Sequence, residues 1–191
     1  MRLVTILLAA GESRRMGQAK LFLPVGDSTL LRMAVAAALE GPLVIVTGAY
    51  AAETEDHLTE ADVHFAFNEN WSAGMAGSIA TGVRKALNFA PEGFLIALAD
   101  QPTVGRASLE KLVVAFQEDP TRIVATWYPE RLGVPAIFPV GYADQLLDGT
   151  GANGARQLIA AAGKAVRVVR FARPPVDLDT PEEYTEFIRN V

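Results

Sequence analysis

Leu3-Val4-Thr5-Ile6-Leu7-Leu8 runs straight into Ala9-Ala10-Gly11-Glu12-Ser13-Arg14-Arg15-Met16-Gly17-Gln18-Ala19-Lys20, and the junction between the two decides the fold. A nearly unbroken apolar run suits a strand covered on both faces, the mark of a parallel sheet rather than of a half-exposed one. The turn that follows combines flexible backbone with two arginines and a lysine. Glycine lets backbone N–H groups approach an anion, and Arg15 and Lys20 bring positive charge to where a phosphate chain would lie, so the turn reads as a triphosphate grip. It is not a P-loop, because no Gly-Lys-Ser/Thr follows, and Gly11 and Gly17 do not complete the dinucleotide fingerprint.

Outward from this junction, short Val-, Ile- and Phe-rich runs alternate with segments of helical spacing, the rhythm of parallel strands joined by crossover helices. Strands are predicted at Leu3–Leu8, Leu43–Thr47, Val63–Phe67, Phe94–Ala99, Ile123–Trp127, Ala136–Pro139 and Val166–Phe171. Helices are predicted at Thr29–Glu40, Ala51–Glu60, Ser78–Asn88, Ala107–Glu118, Asn153–Ala162 and Pro181–Arg189. The expected product is an α/β fold, a three-layer arrangement around a mostly parallel sheet, with residues 1–191 forming one domain. The Pro- and Gly-rich stretch from Tyr128 to Gly154 reads as the most loop-like part and as a substrate lid.

Composition narrows the function. The 191 residues, half of them hydrophobic, suffice for one large core. A net charge of -5 and 17 basic residues that form no run argue against a nucleic-acid groove and for a small-molecule substrate. The chain has no cysteine, which excludes disulfides, thiolate metal sites and cysteine nucleophiles, so any metal is held by oxygen. Met1-Arg2 and the apolar run after it read as a first buried strand rather than a leader, and no run reaches membrane-spanning length, so a cytoplasmic protein without a membrane partner is expected.

Ligands of open α/β sheets gather at the carboxyl ends of the strands, which directs attention to three further segments. Ala99-Asp100-Gln101-Pro102 sets a carboxylate at the lip of a very apolar strand, where a divalent cation would compensate it; an N-cap or turn aspartate is the plainer reading. In Asp177-Leu178-Asp179-Thr180-Pro181-Glu182-Glu183, a capping box explains Thr180, Pro181 and Glu183 but not the aspartates. Two apart on an extended segment, Asp177 and Asp179 would point the same way and could meet Asp100 around one Mg²⁺. Asn68 through Ser78 is a polar, glycine-bearing loop entering a helix at about Ser78, with free N–H groups and amides able to read a base or sugar. Trp71 and Met75 within it read as core plugs. His57, His64 and the acidic residues from Glu53 to Asp62 read as ordinary surface.

Leu8-Ala-Ala-Gly-Glu-Ser-Arg-Arg-Met-Gly-Gln-Ala-Lys20 resembles the L-A-A-G-x-S-x-R-M-G-x-x-K signature of the MobA-like nucleotidyltransferases, and more narrowly of the molybdenum cofactor cytidylyltransferases. Val46-Thr47-Gly48, Asn68 through Ser78, Ala99-Asp-Gln-Pro102, Gly154-Ala-Arg156 and Asp177-x-Asp-Thr-Pro181 resemble the same family in the same order. The resemblance implies a Rossmann-like fold of the nucleotide-diphospho-sugar transferase type and transfer of CMP from CTP to the terminal phosphate of molybdopterin. It implies that Gly11, Arg15 and Lys20 hold the triphosphate, that Ala9, Ala10, Asn68, Gly74 and Ser78 surround cytosine and ribose, and that Leu8, Ser13 and Thr47 complete the nucleotide site. Arg15, Lys20 and Asp100 are its implied catalytic residues, and Asp100 with Asp177 or Asp179 its implied Mg²⁺ ligands. A molybdenum hydroxylase or its maturation factor would be the partner. Ala9-Ala10 stands where guanine-specific relatives carry a Gly-Gly-like pattern, which favours the smaller pyrimidine. Gly133-Val134-Pro135 and Gly149–Asn153 depart from the family pattern on the acceptor side.

Three alternatives use the same scaffold: a guanylyltransferase, a nicotinamide-dependent reductase and a catalytically silent nucleotide-binding module. The reductase lacks support, because Thr47-Gly48-Ala49-Tyr50 follows the second strand where a ribose-binding carboxylate would be expected. The silent module conflicts with the full set of charged residues.

Overall fold

A computed structural model describes residues 1–148 and 154–190. The strands are β1 (Leu3–Leu8), β2 (Pro24–Val25), β3 (Ser28–Thr29), β4 (Leu43–Thr47), β5 (His64–Phe67), β6 (Gly93–Leu98), β7 (Val124–Tyr128), β8 (Arg131–Pro139) and β9 (Arg167–Val169). The helices are α1 (Leu30–Ala37), α2 (Ala51–His57), α3 (Met75–Ala86), α4 (Arg106–Glu118), α5 (Ala143–Leu147), α6 (Gly154–Ala162) and α7 (Pro181–Arg189). Seven strands form one sheet in the order β5-β4-β1-β6-β8-β7-β9, and β2 and β3 form a small hairpin apart from it.

Within that sheet, β8 runs against its neighbours β6 and β7, while the β1–β4, β1–β6, β4–β5 and β7–β9 pairs are parallel. The unbroken apolar strands divide their side chains between two cores. Val4, Ile6, Phe94 and Ile96 face one core with Ile79 and Val83 of α3 and Ile159 of α6; Leu7, Leu95 and Ala97 face the other with Leu31 of α1 and Leu112 and Phe116 of α4. Burial on both faces is why these strands lack polar alternation.

The lid expected from Tyr128 to Gly154 is corrected over most of its length. Arg131–Pro139 is a central strand of the main sheet, and residues 140–147 are helical; residues 149–153 and the expected helix start at Asn153 lie outside the described residues. Gly133 and Pro135 signalled a loop because proline cannot donate to a ladder. The strand tolerates them through a bulge: Ala125 pairs with Ala136 but Thr126 with Gly133, which lifts Val134 and Pro135 out of the register. The Thr126 hydroxyl then donates to the Pro135 carbonyl at 2.6 Å.

Helix α3 starts at Met75, three residues before the expected Ser78, behind Gly74 at φ 123°. It lies close against β1 and β4 at Gly82, where an added Cβ would fall 2.8 Å from Cγ2 of Val46 and nearer still to Cγ2 of Ile6. Gly82→Ala therefore overpacks a full core and is expected to lose about 1–3 kcal/mol of stability, read from the midpoint of a urea unfolding curve. An unchanged midpoint would show that α3 can move away from the sheet.

Candidate active site

Backbone bonds of the sheet hold the chain for two residues beyond β1. The Ala9 N–H donates to Val46 at 2.9 Å, the Ala99 N–H to Leu8 at 3.1 Å, and the Ala49 N–H to Ala10 at 3.1 Å. Gly48 makes this closeness possible, since a Cβ there would meet the Ala10 carbonyl at 2.5 Å and the Trp71 Cβ at 2.7 Å. The loop then turns through left-handed backbone at Ser13 (φ 57°) and Gly17 (φ 71°). Ser13 Oγ accepts from the Lys20 N–H at 3.3 Å, and Lys20 opens a 3₁₀ turn over Lys20–Phe22. A lysine seated this way has little freedom in its backbone to leave the site.

Lys20 is the hub. Its Nζ lies 2.6 Å from Asp100 Oδ2 and 2.7 Å from Asp179 Oδ1, and Arg15 Nη1 reaches Asp179 Oδ2 at 3.1 Å. The Lys20 side chain is only 11% exposed, whereas that of Arg15 is 76% exposed. The Arg15 contact contributes little by itself; the buried pair is what fixes the geometry. Burial alone would lower the Lys20 pKa, but Asp100 and Asp179 outweigh it and hold the ammonium above its ordinary range. Asp100 is pushed up chiefly by burial, and by the nearby Asp177 and Asp179 carboxylates, with Lys20 opposing. Its Oδ1 is buried without a partner among the described residues.

Two segments remote in sequence deliver the carboxylates. Asp100 follows β6, and its carbonyl accepts from the Leu178 N–H at 3.1 Å, which draws the tail segment onto the strand end. The α7 capping box completes the positioning: Glu183 Oε2 accepts from the N–H groups of Asp179 at 2.8 Å and Thr180 at 2.9 Å, while Thr180 Oγ1 accepts from the Glu183 N–H. The capping residues thus carry one side of the site, a second role for Glu183 that the sequence reading does not contain.

Together Leu8, Ala9, Gly11, Ser13, Arg15, Lys20, Asp100 and Asp179 line a cavity of about 420 Å³, with Glu12, Arg14, Leu21, Trp71 and Ser72 as further walls. Trp71, expected as a core plug, packs against the first core and also stands at this wall. Ala10, Thr47, Asn68, Gly74, Ser78 and Asp177 are not among its described walls. Asn68 Nδ2 donates to Ser78 Oγ at 3.0 Å and Asn68 Oδ1 accepts from the Asn70 N–H at 3.1 Å, so the amide expected to be free is spent within the loop. Thr47 is fully buried and its hydroxyl has no partner among the described residues. His57 contacts Thr29 and Phe22, His64 stacks on Phe89, and neither lines the cavity.

The expectation that Asp177 and Asp179 point the same way toward Asp100 is corrected. Asp177 Oδ1 accepts from Gln101 Nε2 at 2.7 Å and lines a different cavity, while Asp179 turns to Lys20 and Arg15. The segment pairs with no strand, so no ladder imposes the two-residue alternation, and it leads into the capping box of α7. Among the described residues no three His, Asp or Glu side chains gather into a metal-holding group. Asp100 and Asp179 remain, bridged by the Lys20 ammonium, and the unpartnered Asp100 Oδ1 suits a cation in their company.

The chain is similar to several known proteins. Over 204 residues the chain is 32% identical to the purine catabolism protein PucB of Bacillus subtilis strain 168, covering 95% of this chain and 94% of that protein. A nucleotidyl transferase from Methanothermobacter thermautotroptrophicus superimposes with a TM-score of 0.82 at 22% identity, over 99% of this chain and 97% of that one. Rv0371C of Mycobacterium tuberculosis H37Rv, solved as a complex with manganese, superimposes with a TM-score of 0.76 at 23% identity over 100% of both chains. The sheet and its flanking helices form the Rossmann-like fold of the nucleotide-diphospho-sugar transferases. The profile of the MobA-like NTP transferase domain matches residues 5–167, a span that takes in the cationic loop, the Asp100 lip and nearly every strand of the sheet, and the chain belongs to that family of nucleotidyltransferases.

Proposed function

We propose that the protein is a cytoplasmic, Mg²⁺-dependent cytidylyltransferase that joins the CMP moiety of CTP to the phosphate of a molybdopterin-type acceptor and releases pyrophosphate. One observation carries the reading: Lys20 and Arg15 from one end of the chain, Asp100 from its middle and Asp179 from its tail converge on one cavity beside the glycine-bearing loop. Cations and carboxylates brought together at the carboxyl ends of central strands suit a polyphosphate with its counter-ion.

In this reading the Gly11 and Ser13 backbone cradles the triphosphate, and Arg15 and Lys20 exchange Asp179 for phosphate oxygens. The acceptor phosphate oxygen attacks the α-phosphorus in line, a new O–P bond forms, and the bond to the β-phosphate bridging oxygen breaks with pyrophosphate as leaving group. No protein nucleophile is needed, because the acceptor is already an anion at neutral pH. Positioning and charge stabilisation are what the residues contribute: Lys20, rigidly seated, faces the charge that develops on the leaving group. Asp100 and Asp179 would hold the metal, which when bound neutralises phosphate charge. The preference for cytosine over guanine rests on the Ala9-Ala10 pair, of which Ala9 lines the cavity. The product would pass to a molybdenum hydroxylase or its maturation factor.

Differential scanning fluorimetry with CTP, GTP, ATP and NADPH, each with and without Mg²⁺, tests this. A ligand that binds only the native state adds about 2.7 kcal/mol at a hundredfold excess over its Kd, so CTP with Mg²⁺ is expected to raise the melting temperature by several degrees. A larger rise with GTP would reassign the base, and a rise with NADPH alone would overturn the nucleotidyltransferase reading.

A further inference from the structure

The turn after β4, Thr47-Gly48-Ala49-Tyr50, holds no acidic residue, and its last side chain reaches back to the cationic loop. The Tyr50 hydroxyl donates to the Glu12 carbonyl at 3.3 Å. Its ring meets that of Phe22 edge to face, with centroids 6.3 Å apart and planes at 82°. Glu12 stands near the start of the loop, and Phe22 closes the 3₁₀ turn that Lys20 opens, so one side chain spans the loop's entry and its exit.

Tyr50 is itself fixed from behind. Its carbonyl accepts from the Thr54 N–H at 3.0 Å and from the Thr54 hydroxyl at 2.7 Å, and Thr54 is fully buried. Its neighbour Ala49 is tied to the Ala10 carbonyl at 3.1 Å. Phe22 is backed by His57, with ring centroids 5.2 Å apart, and His57 Nε2 lies 3.1 Å from the Thr29 hydroxyl. The loop held by this frame has little shelter of its own: Gly11, Arg14, Arg15, Gly17 and Gln18 are exposed, with Met16 buried among them.

The bond from Tyr50 falls where the direction of the backbone matters most. Ser13 has φ 57°, a left-handed conformation that residues with a Cβ avoid, and its Oγ accepts from the Lys20 N–H at 3.3 Å. The Glu12–Ser13 peptide is trans and planar, so its N–H points opposite to the carbonyl that Tyr50 holds. Glu12 and Ser13 line the cationic cavity, and Tyr50 is not among its described walls. We propose that Tyr50 is a positioning residue for phosphate binding: by holding the Glu12 carbonyl back it turns the Ser13 N–H toward the anion, and through Phe22 it keeps Lys20 in step with that N–H. The inference rests on the reading of the loop as a phosphate cradle, and not on which base the nucleotide carries.

Isothermal titration of the full chain with inorganic pyrophosphate and with CTP, both in Mg²⁺, tests this beside amide hydrogen exchange. Tyr50→Phe keeps the ring against Phe22 and removes only the donor. It is expected to weaken pyrophosphate and CTP by the same factor, about fivefold, an ordinary loss for one hydrogen bond. It is also expected to speed exchange across residues 11–19 while β1 and β6 keep their protection. Tyr50→Leu, which gives up the ring contact as well, is expected to weaken both ligands further. Wild-type pyrophosphate affinity or unchanged loop exchange in Tyr50→Phe overturns the proposal. So does a loss of affinity accompanied by faster exchange throughout β1 and β6, which would make Tyr50 a residue of bulk stability only. Pyrophosphate binding without CTP binding by the wild-type protein would instead sink the cytidylyltransferase reading and leave the role of Tyr50 standing, whereas absence of both overturns the two together.

Discussion

Lys20→Ala is expected to lower turnover about 10²- to 10³-fold, the usual loss on removing one preorganised charge from a site of developing negative charge. The side chain touches two carboxylates at 2.6 and 2.7 Å and little solvent, and Arg15, which shares Asp179 with it, is too exposed to take over its position. The same change takes from Asp100 the ammonium that opposes its raised pKa, so the acid limb of the residual activity is expected to move to higher pH. Steady-state rates against pH, with circular dichroism to verify the fold, measure both effects. Wild-type rates from a folded Lys20→Ala protein would remove the hub from the mechanism.

Asp100→Asn is expected to abolish metal-dependent turnover. Asparagine keeps the shape and can still accept from Lys20, but it loses the charge that would make the unpartnered Oδ1 a cation ligand. In the wild-type protein the working form is the carboxylate, and burial raises its pKa above the ordinary 3.8. Activity therefore falls as pH is lowered through that raised value, sooner than an exposed aspartate would allow. Rates across a pH and Mg²⁺ series check this, and Mg²⁺-dependent turnover by the asparagine variant would show that the metal is held elsewhere.

The sequence made the centre of the sheet readable because β1, β4 and β6 are buried on both faces, and such strands carry an apolar run that needs no alternation to be seen. Lys20, Arg15 and Asp100 were readable as charges that follow apolar strands, whereas Asp179 was readable only as one of two aspartates that the capping box leaves unexplained. Of strand β8 only the Ala136–Pro139 half was readable; Arg131–Pro135 was not, since Gly133 and Pro135 are loop residues in isolation and only a bulge against Thr126 makes them compatible with a ladder. Asn68 and Ser78 look available in one dimension because nothing in the sequence says that two polar residues ten apart satisfy each other across a helix start. The division of labour between Asp177 and Asp179 accompanies the bond from the Leu178 N–H to the Asp100 carbonyl, a contact across 78 positions that no local pattern contains.

The segment that supplies Asp179 is moored by few residues. Leu178 shares a small cluster with Val25 and Leu30, and the Tyr184 hydroxyl donates to the Pro24 carbonyl at 2.6 Å, apart from the two large cores. Chemistry and bulk stability are thereby uncoupled at the carboxyl side of the chain. A protein cut or unravelled just ahead of Leu178 would keep its strands and most of its buried surface, yet would lack Asp179, one of the two carboxylates on Lys20, so intactness of this tether is a requirement for competence rather than for folding.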